Sequence, residues 1–370
     1  MTAKESSKTI REMYAVPDVD PSWHVPQTYD GIFDFNFDTS RDTLMHLYQK
    51  GKDMQWDAVE RIDWSQELDP ENPMEMPLES NPIYGTPLWD KLSKQDRIDL
   101  LTHGQAWNIS QFLQGEQGAL ICASKIVTQV PTMDAKFYAA TQTMDEARHI
   151  EAYMNLQKKF GVAYPMTAPL QSLINDALRD SRWDITYLAM QIVIEGLALA
   201  AFATIRDVSQ NPLAQQVNAY VMQDEARHVM FGRLSLRDYY PQLSDAERDE
   251  REEFLVDACY HMRDRFQGPE IYERLGLPVK ECIEYGENSE TIKLFRSFLF
   301  QRIVPVVKDI GLWGPRIQKA YTDMGVIGFA DLDIDALHDQ DDSIAKDFDA
   351  RRAYVESVIK DGKGEGVAAE

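Results

Sequence analysis

Apolar residues recur at helical spacing along most of the 370-residue chain, and alternating apolar and polar runs long enough for a strand do not occur. This pattern predicts an all-α fold. Sequence signals typical of helix starts divide the middle of the chain into four long helices. The predicted helices begin at Ser93, Thr132, Ser181 and Asn211 and end near residues 131, 161, 208 and 240. Four helices of such length predict a four-helix bundle.

The segments before and after the four predicted helices differ in composition from these helices and from each other. Residues 1–90 are rich in Pro, Asp and aromatic side chains, with one short helical stretch from about 40 to 60, which predicts an irregular N-terminal arm. On the C-terminal side, Ser244 with Glu247 starts a further helix, and residues 290–310 are apolar enough to be buried. We expect one domain in three parts: an arm packed on the core at 1–90, the bundle at 91–242, and additional C-terminal helices with a tail at 243–370.

Composition and charge limit the binding partners and the cellular location that we expect for this protein. The chain has 61 acidic and 38 basic side chains, and a net charge of -23 disfavours nucleic acid and anionic membranes. Its three cysteines are far apart, so neither a disulfide framework nor a thiolate zinc site is expected. The first residues lack the apolar segment of a secretion signal, and the most apolar stretch, 188–205, is interrupted. We therefore expect a cytoplasmic protein without nucleic-acid or membrane partners.

A duplicated motif carries the candidate chemistry. The pentapeptide Asp-Glu-Ala-Arg-His occurs at 145–149 and again at 224–228, each time inside a predicted helix. Helical positions three apart share a face, so Glu146 and His149 can direct a carboxylate and an imidazole at one point. A single Glu-x-x-His is often a surface ion pair or a core histidine. Its duplication favours a metal site.

Two further glutamates stand alone in apolar helical segments, FLQGEQGALICA and MQIVIEGLALAAF, and a buried carboxylate needs a cation. Each precedes the glutamate of one pentapeptide by 30 residues, so two equivalent hairpins follow each other. Four carboxylates and two imidazoles match the di-iron and di-manganese sites of helical bundles. This donor set favours two Fe ions, with Mn or a mixed Mn/Fe pair as alternatives. The predicted metal ligands are Glu116, Glu146, His149, Glu195, Glu225 and His228.

Other residues of the same helices are predicted to support this site. A metal-bound histidine usually donates its second N–H to a carboxylate, which makes the motif aspartates candidates, and the motif arginines could pair with them. These four residues are Asp145, Asp224, Arg148 and Arg227. Side chains flanking the ligands would line an apolar substrate cavity, namely Phe112, Ala119, Leu120, Gln142, Ile192, Leu199 and Phe202. Thr143, one turn before a ligand glutamate, is a candidate catalytic residue for proton delivery.

Residues 93–240 resemble the ferritin-like di-iron oxygenase and oxidase superfamily, which includes multicomponent hydroxylase large subunits, arylamine N-oxygenases and ribonucleotide reductase small subunits. The Asp-Glu-x-Arg-His form is most similar to the hydroxylases, and the resemblance implies that the equivalents of all six predicted ligands bind iron. Arylamine N-oxygenases add a histidine one helical turn before the last glutamate. This chain has Val221 there, so the comparison favours the hydroxylases over that group.

Tyr153 leaves a second interpretation open. It lies one turn after His149, where the resemblance to ribonucleotide reductase small subunits would place a radical tyrosine, so it is a second catalytic candidate. A core tyrosine with a satisfied hydroxyl is the alternative. Against the reductase interpretation, that family usually supplies an aspartate at the position of Glu116.

The resemblance implies a monooxygenase that uses O2 to hydroxylate or N-oxygenate a small organic substrate. The chain carries neither a dinucleotide-binding glycine motif nor an iron-sulfur cysteine pattern, so a separate reductase or ferredoxin would supply electrons. Its relatives suggest a homodimer. Two alternatives remain: a radical-generating or ligand-oxidising protein of the reductase small-subunit type, and a non-catalytic iron-binding or storage protein.

Overall fold

The computed structural model describes residues 8–17, 19–20, 22–38 and 41–364. This part of the chain is helical, which confirms the all-α fold, and its one β-type contact is an isolated bridge between Tyr14 and Ala163. Its helices are α1 Asp42–Asp53, α2 Ala58–Arg61, α3 Pro87–Lys91, α4 Lys94–Gln129, α5 Met133–Phe160, α6 Ala168–Arg179, α7 Trp183–Tyr187, α8 Glu195–Val208, α9 Pro212–Tyr239, α10 Asp245–Asp264, α11 Pro269–Arg274, α12 Val279–Asn288, α13 Glu290–Phe298, α14 Val304–Asp309, α15 Pro315–Asp323 and α16 Ile334–Gly364. A π-helical turn, Leu188–Ile194, joins α7 to α8.

The helices α4, α5, α8 and α9 form the predicted bundle. Helix α4 packs along α5 and α8 along α9, and contacts between α5 and α9 join the two hairpins. The predicted start of α4 is confirmed, because Ser93 and Asp96 cap it reciprocally. The start of α9 is confirmed too, since the Asn211 side chain accepts a hydrogen bond from the Ala214 amide. Helix α5 ends at Gly161, whose φ of 70° favours glycine.

The third bundle helix does not begin as predicted. Ser181 and Asp184 form no capping box; Arg182 is the residue before the helix, and no side chain caps it. Asp184 is buried and accepts a hydrogen bond from Nε of Arg251 on α10 at 2.9 Å. The Asp184 carboxylate, which the local sequence predicts as part of a helix cap, thus forms an ion pair with Arg251 instead.

Among the described helices, one stretch, Trp183–Val208, has the length and the apolar composition of a membrane-spanning helix, with a mean hydropathy of 1.9. In the folded chain, 89% of its most apolar segment is buried inside the protein. Neighbours from α4, α6, α9 and α10 contact this stretch. Its place at the centre of the bundle accounts for its composition.

The flanking segments cover the bundle. Helix α1 packs on α5 and α9, and α16 packs on α9. The arm contains α1, α2 and α3 and is therefore more regular than predicted; residue 40, the predicted start of its helix, lies outside the described residues. Ser244 and Glu247 cap α10 as predicted. The stretch at 290–310, which was expected to be buried, is divided into two helices. The expectation is wrong for α13, whose Leu294 and Phe298 are exposed, and holds for the first turn of α14, which is buried and contains Pro305.

Helix α6 lies across α4. Gly118 allows this close contact, because a Cβ atom there would come within 2.5 Å of Cδ1 of Ile174. The buried Lys125 of α4 donates from Nζ to the carbonyl oxygens of Ala177 at 2.7 Å and Asp180 at 2.6 Å. A cation at this end of α6 also interacts favourably with the helix dipole. Both contacts hold α6 against the bundle.

Candidate metal centre

The bundle brings the six predicted ligands together in its interior, where all six side chains are buried. They form two groups that share one glutamate. Within each group, one oxygen or nitrogen atom of every member lies within 4.8 Å of those of the others. The first group is Glu116, Glu146, His149 and Glu225, and the second is Glu146, Glu195 and His228. Each group has the size and donor atoms to hold one metal ion.

Glu146 and Glu225 lie between the two histidines. Oε2 of Glu146 is 3.3 Å from Nδ1 of His149, and its Oε1 is 3.1 Å from Nδ1 of His228. Oε1 and Oε2 of Glu225 lie 3.0 Å and 3.5 Å from the same two nitrogens. Each of these carboxylates therefore presents one oxygen to each histidine, an arrangement suited to bridging. Oε2 of Glu116 lies 3.4 Å from Nδ1 of His149, on one side of the cluster.

Glu195 owes its position to the shape of its helix. It follows directly on the π-helical turn Leu188–Ile194, and such turns are frequent at functional sites. Gln142 holds the carboxylate, since its Nε2 donates to Oε1 of Glu195 at 2.9 Å and to Oε1 of Glu146 at 3.0 Å. A single amide group thus links ligands from both hairpins.

Each histidine pairs with the aspartate of the other pentapeptide. Nε2 of His149 lies 3.1 Å from Oδ2 of Asp224, and Nε2 of His228 lies 3.2 Å from Oδ2 of Asp145. When Nε2 carries the proton and donates it to the aspartate, the lone pair of Nδ1 faces the carboxylates. The orientation of each imidazole therefore depends on both α5 and α9.

The motif arginines neutralise these aspartates. Nη2 of Arg148 donates to Oδ1 of Asp145 at 2.5 Å and to Oδ2 of Asp224 at 2.6 Å, and Arg227 donates to Oδ1 of Asp224. Burial alone would raise the pKa of Asp224, but Arg227, His149 and Arg148 hold that pKa well below its usual range. Asp224 is therefore a carboxylate at neutral pH and can orient the imidazole.

Two residues that the sequence does not single out complete this network. Nε2 of Gln55 donates to Oδ1 of Asp145 at 2.7 Å, and Oε1 of Gln55 accepts from Arg148 at 2.7 Å. Nε1 of Trp56 donates to Oδ2 of Asp224 at 2.8 Å. Since 90 and 168 residues separate Gln55 and Trp56 from these aspartates, no local pattern could reveal the contacts.

Without a cation, the carboxylate cluster is unfavourable. Burial, followed by the Glu225 charge, raises the pKa of Glu116 to about 8 and raises the pKa of Glu195 well above its usual value. Burial alone would lower the pKa of His149 and His228, but the surrounding carboxylates outweigh it and raise both well above the ordinary value. Such a cluster takes up protons when no metal neutralises it.

Several ligand atoms make no hydrogen bond within the described part of the chain: Nδ1 of both histidines, Oε2 of Glu146, Oε2 of Glu195 and both carboxylate oxygens of Glu225. An unpaired buried polar atom costs roughly 1–3 kcal/mol, and more when it is charged. These atoms converge on the two groups, so the donor set fits two cations. The cluster is therefore able to bind two metal ions, and its oxygen-rich set with one nitrogen per metal suits iron or manganese.

A narrow cavity of about 20 Å³ lies beside the ligands, with room for about one water molecule. Three of the seven predicted pocket residues line it, namely Phe112, Ala119 and Phe202. Three ligands form part of its wall, Glu116, Glu195 and Glu225. The remaining lining residues are absent from the sequence prediction: Gln111, Gly115, Leu170, Ile194, Ala198 and Arg265.

The other four predicted pocket residues do not line this cavity. Leu120 is half-buried on α4, and Leu199 lies in the hydrophobic core. Gln142 is engaged by the ligand carboxylates. Ile192 lies within the π-helical turn and faces Gly232 of α9. A regular helical period, assumed in the prediction, fails across that turn.

The hydroxyl groups of the two predicted catalytic residues are hydrogen-bonded to groups other than the metal ligands. The Thr143 hydroxyl donates to the carbonyl oxygen of Ala139 in its own helix at 2.8 Å and does not line the cavity. The Tyr153 hydroxyl is buried and donates to Oδ1 of Asn218 at 3.1 Å. Burial, with Glu116 as the next cause, raises the pKa of Tyr153 well above its usual value. The contact with Asn218 is that of a core tyrosine with a satisfied hydroxyl.

Fold and cluster define a ferritin-like helical protein with a buried carboxylate and histidine centre for two metals. The sequence profile of the p-aminobenzoate N-oxygenase AurF family matches residues 38–311, and the chain belongs to this family. It is therefore a di-metal oxidoreductase. No curated protein sequence matches the chain.

Solved structures with a similar fold include R2-like ligand-binding oxidases. A variant with an aerobically reconstituted Mn/Fe cofactor has a TM-score of 0.53 and 16% sequence identity, over 75% of this chain and 96% of that one. Another structure, also with an aerobically reconstituted Mn/Fe cofactor, has a TM-score of 0.50 and 16% identity, over 75% of this chain and 95% of that one. At this identity the similarity establishes the fold alone.

Family membership corrects the preference for the hydroxylases. That preference rests on the Asp-Glu-x-Arg-His form and on Val221, which is buried one turn before Glu225 where a histidine is expected of arylamine N-oxygenases. The family match includes this residue, so the absence of a histidine there does not exclude the chain from the group.

Proposed function

We propose that this protein is an O2-dependent monooxygenase that oxidises the nitrogen of a small aromatic amine at a pair of iron ions. The observation that carries the proposal is the convergence of buried, unpaired ligand atoms in a chain of the AurF family. The proposed ligands are Glu116, Glu146, His149, Glu195, Glu225 and His228. A mixed Mn/Fe pair would use the same donor atoms.

Within this proposal, the bound metals supply the reductive activation of O2. One oxygen atom joins the amine nitrogen and gives a hydroxylamine, and the other leaves as water, which consumes two electrons and two protons. The electrons come from a separate reductase or ferredoxin, because the chain has no sequence motif for a flavin, nicotinamide or iron-sulfur group.

The side chains have distinct tasks in this proposal. Glu146 and Glu225 would help to hold both metals, since each presents one oxygen to each histidine, and Asp224 and Asp145 keep each imidazole oriented so that Nδ1 could bind a metal. The apolar walls of the cavity, including Phe112 and Phe202, exclude water around the reacting nitrogen.

Metal binding is tested with Glu146→Gln, because Glu146 belongs to both ligand groups. We expect two iron ions per wild-type chain and loss of at least one of them in the variant. Glu151→Gln is the matched control, since Glu151 is an exposed residue of the same helix. Iron uptake far beyond two per chain would contradict the proposal and favour storage.

Oxygenation is tested with the iron-loaded, chemically reduced protein, a panel of aromatic amines and ¹⁸O2. Wild-type protein and Glu151→Gln should consume O2 and form a hydroxylamine that carries one ¹⁸O atom, whereas Glu146→Gln should not. Product labelled from water, or O2 consumption that no amine affects, would overturn the assignment as a monooxygenase.

A further inference from the structure

Three phenylalanine side chains of the N-terminal arm are exposed on the surface. Phe33 and Phe35 are 84% and 81% exposed, the two highest values among the large hydrophobic side chains of the described residues, and Phe37 is 70% exposed. The rings of Phe33 and Phe35 are stacked, with their centres 6.5 Å apart. We call Phe33, Phe35 and Phe37 the phenylalanine row. Clustered apolar side chains that stay exposed to water are typical of interaction surfaces.

The segment that carries this row is fixed to the connection between α4 and α5. The Ile32 amide donates to the carbonyl oxygen of Thr128 at 2.8 Å, and Oδ2 of Asp34 accepts a hydrogen bond from the Met133 amide at 3.2 Å. Oδ1 of Asp34 accepts from the Asn36 amide at 2.9 Å. The charged residue between the phenylalanines thus directs its carboxylate to backbone amides of its own chain.

A cavity of about 390 Å³ lies beside the same connection, at one end of the bundle, and no residue of the phenylalanine row lines it. An apolar cavity of about 150 Å³ holds one benzene molecule, so this cavity has room for roughly two phenyl rings. The charges at its wall cancel, because Nη2 of Arg41 pairs with Oδ2 of Asp238 at 2.6 Å. We call it the turn cavity; its apolar and aromatic lining residues are Val130, Pro131, Ala135, Trp183, Tyr187 and Tyr239.

We propose that two copies of this chain associate through this face, with the phenylalanine row of each copy in the turn cavity of the other. Twofold symmetry produces a reciprocal contact of this kind, because one chain carries both the row and the cavity that can receive it. Phe37 is four residues from Arg41, which lines the cavity, so the two surfaces lie close together on each chain.

The area that such a contact buries is sufficient for a stable dimer. A buried aromatic side chain covers about 150–250 Å², so at their present exposure the three rings would bury roughly 350–600 Å². Each chain contributes both its row and the wall of its cavity, so the area per chain is roughly twice that figure. A stable interface needs about 800 Å² per chain.

The distribution of charge is compatible with a second copy at this face. Each chain has a net charge of -23, so two copies repel each other over most of their surfaces. Within the proposed contact this repulsion is small, because Asp34 is engaged by amides of its own chain and Asp238 is paired with Arg41. Like charges facing each other, which would oppose association, are thereby avoided.

The proposal is tested by sedimentation equilibrium of the full, metal-loaded chain at micromolar concentration. We expect wild type to have the mass of two chains, and the variant Phe33→Ser/Phe35→Ser/Phe37→Ser to have a Kd for dimerisation raised by roughly 100-fold or more. Its circular dichroism should equal that of wild type, because the exposed rings lie outside the core of their own chain. Leu294→Ser/Phe298→Ser is the matched control, since it removes two exposed apolar side chains from α13, and it should remain a dimer.

A disulfide between two chains tests where the row binds. The three native cysteines are buried, so cysteines introduced at the surface can be followed separately. Gln242 is an exposed residue of the cavity wall. A mixture of Phe35→Cys and Gln242→Cys chains should form a covalent pair with one chain of each kind, whereas Phe298→Cys with Gln242→Cys should not.

Three results would overturn the proposed association: a monomeric wild type, a triple variant that dimerises as tightly as wild type, or dissociation of the α13 control. A dimer that forms no disulfide between positions 35 and 242 would overturn the turn cavity as the binding site of the row. None of these measurements depends on oxygenation, so the proposed function is tested separately.

Discussion

His149 and Asp224 lie on different helices of the bundle, with Nε2 of the histidine 3.1 Å from Oδ2 of the aspartate. The reciprocal pair, His228 and Asp145, has the same geometry at 3.2 Å. Each hairpin thus orients the imidazole of the other. Substitution of one of these aspartates should therefore weaken metal binding mainly at the histidine of the opposite hairpin.

Asp224→Asn tests this exchange. The substitution removes the charge that orients His149, and loss of such a contact typically weakens metal binding about 10- to 100-fold. Competition with a chelator should show this loss mainly at the ion bound by His149. Asp238→Asn, in the last turn of the same helix and paired with Arg41 near the surface, should leave the affinity unchanged. Equal weakening by both variants would contradict the orienting role.

The duplicated pentapeptide made this centre largely predictable from sequence. Helix spacing alone places Glu146 with His149 on one face, and the apolar surroundings of Glu116 identify it as a buried charge. The pairing of each histidine with the aspartate of the other hairpin was not predictable, because it depends on how α5 and α9 are positioned along each other. The same holds for Trp56 and Arg265, which reach the site from segments with no distinctive pattern.

Removal of the metals should make stability depend on pH in a defined direction. Glu116, with a folded pKa of about 8, holds its proton at pH values where the unfolded chain has lost it, and the pKa values of Glu195, His149 and His228 are also raised. Stabilisation from such groups is present at low pH and is lost as the pH rises through the folded pKa. The metal-free protein should therefore unfold at lower temperature at pH 8 than at pH 6.

Bound metal replaces these protons, so the metal-loaded protein should not lose stability over the same interval. Thermal unfolding followed by circular dichroism, with Fe²⁺ under anaerobic conditions or with a chelator, measures the difference. A chelated protein whose unfolding temperature stays constant or rises from pH 6 to pH 8 would show that the cluster does not hold these protons.

The contact between α4 and α6 should be sensitive to a single methyl group. In Gly118→Ala the added Cβ would meet Cδ1 of Ile174 at 2.5 Å, and overpacking of this kind costs about 1–3 kcal/mol. Gly104→Ala is the matched control on the same helix, because nothing lies within 4 Å of its Cβ, and it should stabilise by roughly 0.5–1 kcal/mol. Chemical denaturation measures both; a neutral Gly118→Ala would mean that α6 shifts freely.

The departures of the helices from their predictions have one physical origin. Local sequence predicts capping at Ser93 and Asn211 correctly because the contacts lie within three residues. At Asp184 an ion pair with Arg251 of α10 prevails over the local cap. In the same way, the helix is π-helical over Leu188–Ile194, and Ile194 lines the cavity instead of the predicted Ile192. Where the local sequence preference is weak, tertiary contacts determine where a helix begins and which side chains face the cavity.

Tyr153→Phe separates oxygenation from radical chemistry. The variant keeps the ring contacts with Phe112 and Phe202 and removes the donor to Asn218, which should cost about 1 kcal/mol of stability. If the tyrosine is structural, oxygenation of an aromatic amine should persist within a few-fold. Tyr138→Phe is the control, since its buried hydroxyl makes no hydrogen bond within the described residues and its loss should not destabilise. A paramagnetic tyrosine signal in wild type that disappears together with activity in Tyr153→Phe would instead support the radical-generating alternative.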